Sequence, residues 1–164
     1  MTYAPHAALA FALVLFAAGL VWAAASDFFR YLIPNRVCAL IAGAYLLAFP
    51  ALALSAWVGG LGVGIAALAL GTILFARGWV GGGDVKLAAA LSLWAGPALL
   101  SGFAFVTSLA GAALAATMLS PLRRLMPRPA GGALAEGLRQ PMPFGVPLAA
   151  GGGWVLTQHL ASLF

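Results

Sequence analysis

The chain has 164 residues, of which 64% are apolar and only 7% charged, against roughly 25% charged in an ordinary soluble domain. With a mean hydropathy of +1.07 there are too few charges to cover a soluble fold of this size, which excludes a soluble globular protein, a disordered chain and a nucleic-acid module. What remains is an integral membrane protein of one unit over residues 1–164, whose net charge of +5 reads as loop bias rather than as a nucleic-acid footprint.

A spanning helix needs about 20 residues. Residues 1–26 carry no charge and hold a first helix over 7–25. It lacks a basic leading region and a cleavage site, and so reads as a retained helix rather than a signal peptide. A first charged cluster follows, Asp27, Arg30 and Arg36. The uncharged run 37–76 is long enough for two helices, placed at 36–54 and 56–76 with a turn marked by Pro50 and Ser55. Gly60-Leu61-Gly62-Val63-Gly64 in the second of these contains a small-xxx-small pair, which reads as a helix-packing face rather than a ligand site. The next cluster is Arg77, Asp84 and Lys86. Residues 87–122 are tight for two spans, but Gly96-Pro97 breaks them into a short helix over 84–95 and a full one over 98–119. The third cluster, Arg123, Arg124, Arg128, Glu136 and Arg139, lies in a polar stretch, 120–142, that reads as a flexible cytoplasmic loop with Glu136 solvated. A last helix occupies 144–162. The expected fold is all-α, a polytopic membrane protein of six transmembrane helices with a short fourth helix.

Two crossings between successive clusters put all eight basic residues on one face, which the positive-inside rule makes cytoplasmic, with both termini outward. Trp22, Trp57, Trp79, Trp94, Trp154, Tyr3, Tyr31 and Tyr45 fall mostly near helix ends, as interfacial anchors do.

The acids are the informative residues, because there are only three. Asp27 ends the first helix and Asp84 opens the fourth, at equivalent depths on one side. An aspartate at the bilayer centre costs about 2.5–3.5 kcal/mol on insertion scales, so acids at such positions are functional candidates. Two carboxylates meeting in a poorly solvated site share one proton and titrate as a unit. That state suits peptide hydrolysis: the ionised partner takes a proton from water and the protonated partner hydrogen-bonds the scissile carbonyl. Serine and cysteine routes fit poorly. Cys38, the single cysteine, has no histidine near it in sequence, and His6 and His159 fall on the opposite face; one cysteine also excludes a disulfide framework and a cysteine zinc site. No metal or cofactor is expected. Against this stand plainer readings: Asp27 as an interfacial residue paired with Arg30, and Asp84 as the N-cap of its helix. Gly81-Gly82-Gly83 allows close backbone approach. A phosphate loop is excluded there, since no strand precedes it and an acid follows.

Gly81-Gly82-Gly83-Asp84-Val85-Lys86 resembles the GxGD motif of the type IV prepilin peptidases, membrane-embedded aspartic peptidases. Asp27 to Asn35, ending Ile33-Pro34-Asn35, is similar to that family's first motif, and Pro143-Phe144-Gly145 to the segment that opens its last helix. Jointly the three are strong, and the resemblance covers nearly the whole chain. It implies removal of the short basic leader of prepilins or pseudopilins, usually after a glycine, at the cytoplasmic membrane face, with Asp27 and Asp84 as the catalytic pair. Gly81, Gly83, Lys86, Pro34, Asn35, Pro143 and Gly145 would bind substrate or support the site. Expected partners are a prepilin with a hydrophobic helix and the lipid bilayer, with no nucleic acid. Longer relatives carry a cytoplasmic segment with paired cysteines and N-methylate the product; this chain looks like the short, peptidase-only branch linked to tight-adherence (Flp-type) pili. Presenilin-like proteases pair their GxGD aspartate with a Tyr-Asp motif, whereas Ser26 precedes Asp27. The alternative function is a small proton- or cation-coupled transporter using Asp27 and Asp84 as a relay; both acids lie near one surface with no charge along the remaining path, which argues against it. A structural subunit whose acids only pair with arginines is the third reading.

Overall fold

The structure is a computed structural model that describes residues 3–121 and 142–163, with side chains from residue 7. The basic residues Arg123, Arg124, Arg128 and Arg139, the expected loop and Glu136 fall outside the described residues, as does the side chain of His6. Five helices account for the described chain: α1 (Tyr3–Arg30), α2 (Asn35–Leu47), α3 (Leu54–Ala76), α4 (Gly82–Leu119) and α5 (Gly145–Ala161), with a short 3-10 turn at Phe49–Ala51 between α2 and α3. No strand occurs among the described residues. Three stretches are long and apolar enough to cross a membrane, Ala7–Arg30, Leu54–Ala76 and Gly82–Leu119, and Asn35–Ala51 is a shorter apolar helix.

The expected fourth and fifth helices form the single 38-residue α4, interrupted at Gly96, where φ is 53° and ψ is −172°. That backbone conformation is essentially reserved for glycine, and Pro97 then supplies the preset φ of a new helical start. Contacts show that the chain turns back there. Leu91 packs on Gly152 and the Trp94 carbonyl meets His159 Nε2 at 2.9 Å, so the arm 82–95 runs parallel to α5. Trp154 covers Gly102, Thr107 lies on Gly151, and Phe144 lies on Gly111, so the arm 97–119 runs antiparallel to α5. The same logic holds elsewhere. On α3, Gly60 and Gly64 meet Leu93 while Gly71 meets Val85 and Phe75 covers Gly82, so α3 runs against the first arm of α4. Alternating directions bring Asp27, Arg30, Arg36, Arg77, Asp84 and Lys86, all the charged residues described, to one end of the bundle.

Other boundaries differ from expectation. Helix α1 continues past Ala25 to Arg30, because nothing from Ser26 to Phe29 breaks it; Tyr31, at φ 53°, ends it in a left-handed conformation. Helix α2 stops at Leu47 rather than 54, because Pro50 lacks the N–H a further turn would need and the chain tightens into the 3-10 turn.

Lipid tails are as apolar as the helices, so association here rests on close packing and on hydrogen bonds between helices. The small residues do the first: Gly60 and Gly64 are buried, with the Tyr45 hydroxyl and Leu93 lying where side chains would go, as the packing face on α3 requires. Trp94 and Tyr45, each 2% exposed, do the second and are core residues rather than interfacial anchors. Trp94 stacks on Phe16 at 4.6 Å and donates its indole N–H to the Ile41 carbonyl at 3.0 Å, while the Tyr45 hydroxyl donates to the Trp57 carbonyl at 2.7 Å. An indole buried in a bundle needs such a partner.

Gly96→Ala is expected to lower stability by roughly 1–3 kcal/mol from backbone strain alone, since nothing but Gly60 lies within 4 Å of the added methyl. Gly62→Ala, in open space within α3, serves as the control and loses nothing. Thermal unfolding of the two purified variants in the same detergent measures the difference.

Candidate active site

Asp27 sits in the last turn of α1, 5% exposed. This is a poor place for a carboxylate: it has left water, and the unpaired carbonyls of a helix C-terminus point the wrong way. The donor comes from elsewhere. Gly145, the first residue of α5, donates its N–H to Asp27 Oδ2 at 2.6 Å, while the neighbouring Val146 N–H donates to the Pro143 carbonyl at 3.3 Å. The Arg30 pairing weighed above is thereby replaced by a backbone donor 118 residues away. Glycine is required at 145, because a Cβ there would lie 2.8 Å from Asp27 Oδ2 and 2.9 Å from Ile33 Cδ1. Pro143, fully buried, and Phe144 as N-cap bring the chain into this approach.

Asp84 is half-buried at the third position of α4, whose N-cap is Gly81, so it is not the cap itself. Its carboxylate curls back over Gly81, where a Cβ would lie 3.0 Å from Oδ2; Gly82 lies under the Phe75 ring, 3.2 Å from where its Cβ would be. The three glycines therefore let the helix start close beneath α3 and its own acid.

The two acids come from different helices: α1 packs on α2 and α5, and α4 on α2, α3 and α5, with Phe16 of α1 stacked on Trp94 of α4. Ile33 packs beside both acids. Its side chain, 8% exposed, touches Gly145 beside Asp27 and lies 3.2 Å from where a Cβ on Gly83 would be, one residue before Asp84. Through Ile33 the backbone beside Asp27 and the backbone beside Asp84 are in contact with one side chain. On the outer side Lys86 Nζ donates to Asn35 Oδ1 at 3.0 Å, strapping the first turn of α4 to the first turn of α2. Pro34, N-cap of α2, sets up that turn and lines a neighbouring cleft of about 760 Å³ together with Ser26, Phe29, Arg30 and Asn35.

All nine residues singled out in the sequence, Asp27, Asp84, Gly81, Gly83, Lys86, Pro34, Asn35, Pro143 and Gly145, thus lie at one end of the bundle, in three chain segments linked by two hydrogen bonds and Ile33. Sequence reasoning quoted Ile33 as part of the Ile33-Pro34-Asn35 motif but gave it no role in the site, and it missed the Gly145 N–H, since a backbone donor has no letter. His159 lies at the opposite end, against Trp94, and Cys38 is buried on α2. Among the described residues no three His, Cys, Asp or Glu side chains come together.

The Lys86–Asn35 strap carries a measurable coupling. A double-mutant cycle over Lys86→Met and Asn35→Ala, followed by thermal unfolding, is expected to give an interaction of about 0.5–1.5 kcal/mol, the two single losses summing to more than the double loss.

No curated protein and no solved structure matches the chain. A family profile does: that described as the type IV leader peptidase family matches residues 14–116, which include both Asp27 and Asp84. With more than half its length matched, the chain belongs to the type IV leader peptidase family.

Proposed function

We propose that this member of a leader peptidase family is a membrane aspartic endopeptidase of the GxGD type that removes the leader of prepilin or pseudopilin proteins, with Asp27 and Asp84 activating the water. Family membership makes it a peptidase of the type IV leader class. What supports the finer reading is that the two described acids, rare in a chain with 7% charge, lie at the same end of the bundle, each next to a glycine that Ile33 packs against. Among the described residues Asp27 is held by the backbone N–H of Gly145 and not by an arginine.

The arrangement suits the chemistry. One carboxylate accepts a proton from water as the oxygen attacks the scissile carbonyl, and the other, protonated, donates to the carbonyl oxygen; no covalent intermediate is formed. In this reading the alternating helix directions make six crossings, with α4 contributing two about its break at Gly96. The charged end is then the cytoplasmic one in the bacterial inner membrane, by the positive-inside rule, and both termini face outward. A substrate whose basic leader stays in the cytoplasm and whose hydrophobic helix lies in the bilayer presents its junction at this depth. With one cysteine, the chain resembles the short, peptidase-only branch linked to Flp-type pili, whose longer relatives carry a segment with paired cysteines.

Asp27→Asn and Asp84→Asn are each expected to lower leader removal from a co-expressed prepilin by at least about 10³-fold, because members of a catalytic unit are not additive. Gel mobility of the prepilin measures it. Full processing by either variant contradicts the two-aspartate mechanism. Proton flux in liposomes, lost in the same variants, together with an unchanged prepilin, favours the relay instead.

A further inference from the structure

The two acids are not equivalent, and the difference lies in α5. We infer that the N-terminus of α5 assigns their roles: the Gly145 N–H holds Asp27 as the carboxylate that takes the proton from water, and Asp84 carries the proton that is given to the scissile carbonyl. Gly145 is on this account a positioning residue. The inference rests on the two-aspartate reading and adds to it which acid does what.

Three observations carry it. Asp27 Oδ2 accepts a bond of 2.6 Å from a backbone N–H, and such a bond is stronger to an ionised oxygen than to a neutral one. That N–H is one of the orphan donors of a helix start, so the positive end of α5 faces Asp27. A backbone N–H has no proton to accept and cannot rotate away, so it favours a charged acceptor at this site permanently. At Asp84, in contrast, no donor from a described residue reaches the carboxyl. Lys86, two positions on, is bonded to Asn35 instead. When the pair holds one proton, Asp84 is therefore where it resides. The charged groups at this end on the elements packed about Asp27 are Arg30 on α1 itself, Arg36 on α2, and Asp84 and Lys86 on α4, and the described first turn of α5 contributes none.

The step balances. Water gives one proton to Asp27 and its oxygen bonds to the carbonyl carbon, while Asp84 gives its proton to the carbonyl oxygen, leaving a neutral gem-diol. On collapse, Asp27 passes its proton to the departing amide nitrogen, the C–N bond breaks, and a diol hydroxyl returns a proton to Asp84. Both acids end as they began.

An amide can donate a hydrogen bond but cannot accept a proton from water, so Asn is informative at each position. The experiment compares Asp27→Asn, Asp27→Ala, Asp84→Asn, Asp84→Ala and Gly145→Ala in the full-length enzyme in detergent, with a purified prepilin as substrate. The expected result is rescue at one position only: Asp84→Asn at least 10-fold faster than Asp84→Ala, and Asp27→Asn no faster than Asp27→Ala. Gly145→Ala, whose methyl would lie 2.8 Å from Asp27 Oδ2, is expected to lower kcat at least 10-fold with KM within twofold. Rescue at 27 and not at 84 reverses the roles and overturns the inference, as does equal behaviour at both positions or a Gly145→Ala enzyme with unchanged kcat. If Gly145→Ala does not fold, the four aspartate variants alone decide. Wild-type processing by Asp27→Asn or Asp84→Asn instead overturns the two-aspartate reading on which the inference stands.

Discussion

A carboxylate at the end of a membrane helix has lost most of its water and faces the carbonyl end of its own helix. Placing Asp27 there costs several kcal/mol unless a donor is built in, and a charge-assisted hydrogen bond returns about 1.5–3 kcal/mol of that. The Gly145 N–H at 2.6 Å is that donor. Much of the fold follows from the need to deliver it. Helix α5 must begin at the depth where α1 ends; it must begin on glycine, because no Cβ fits beside Oδ2 and Ile33; and the buried Pro143 must lead it in. The rest of α5 is held in register by Trp154 over Gly102, Gly152 against Leu91 and Leu20, and His159 on the Trp94 carbonyl.

The second acid is placed by different means. Asp84 depends on a glycine run that lets α4 start tightly under Phe75 and on the strap from Lys86 to Asn35. Ile33 joins the two halves, touching the backbone beside each acid. The site is thus assembled from three helix ends rather than from one rigid element.

Much of this was legible in the sequence, for a physical reason. In a chain with 7% charged residues every acid at the membrane surface is conspicuous, so Asp27 and Asp84 announce themselves, and Gly96-Pro97 marks the break in α4 because glycine and proline are what such a turn needs. The small-residue face of α3 was readable on the same grounds. What composition does not encode is which neighbour fills a space. Trp94 and Tyr45 look like interfacial anchors by their position in the chain and are core residues, because Ile41 and Trp57 offer them carbonyls. The early end of α2 depends on how Pro50 closes a 3-10 turn. The bond from Gly145 to Asp27 joins residues 118 apart through a backbone atom and leaves no trace in either letter.

The central claim is that residues 27 and 84 face each other across one shared space. Cysteine placed at both positions, with Cys38 replaced by alanine, tests it in native membranes with a short bifunctional thiol reagent. The account predicts a single intramolecular cross-link between the peptides containing 27 and 84, found by mass spectrometry, with both thiols labelled from the same side of the membrane. Labelling from opposite sides, or two reactive thiols that no short reagent bridges, would contradict it.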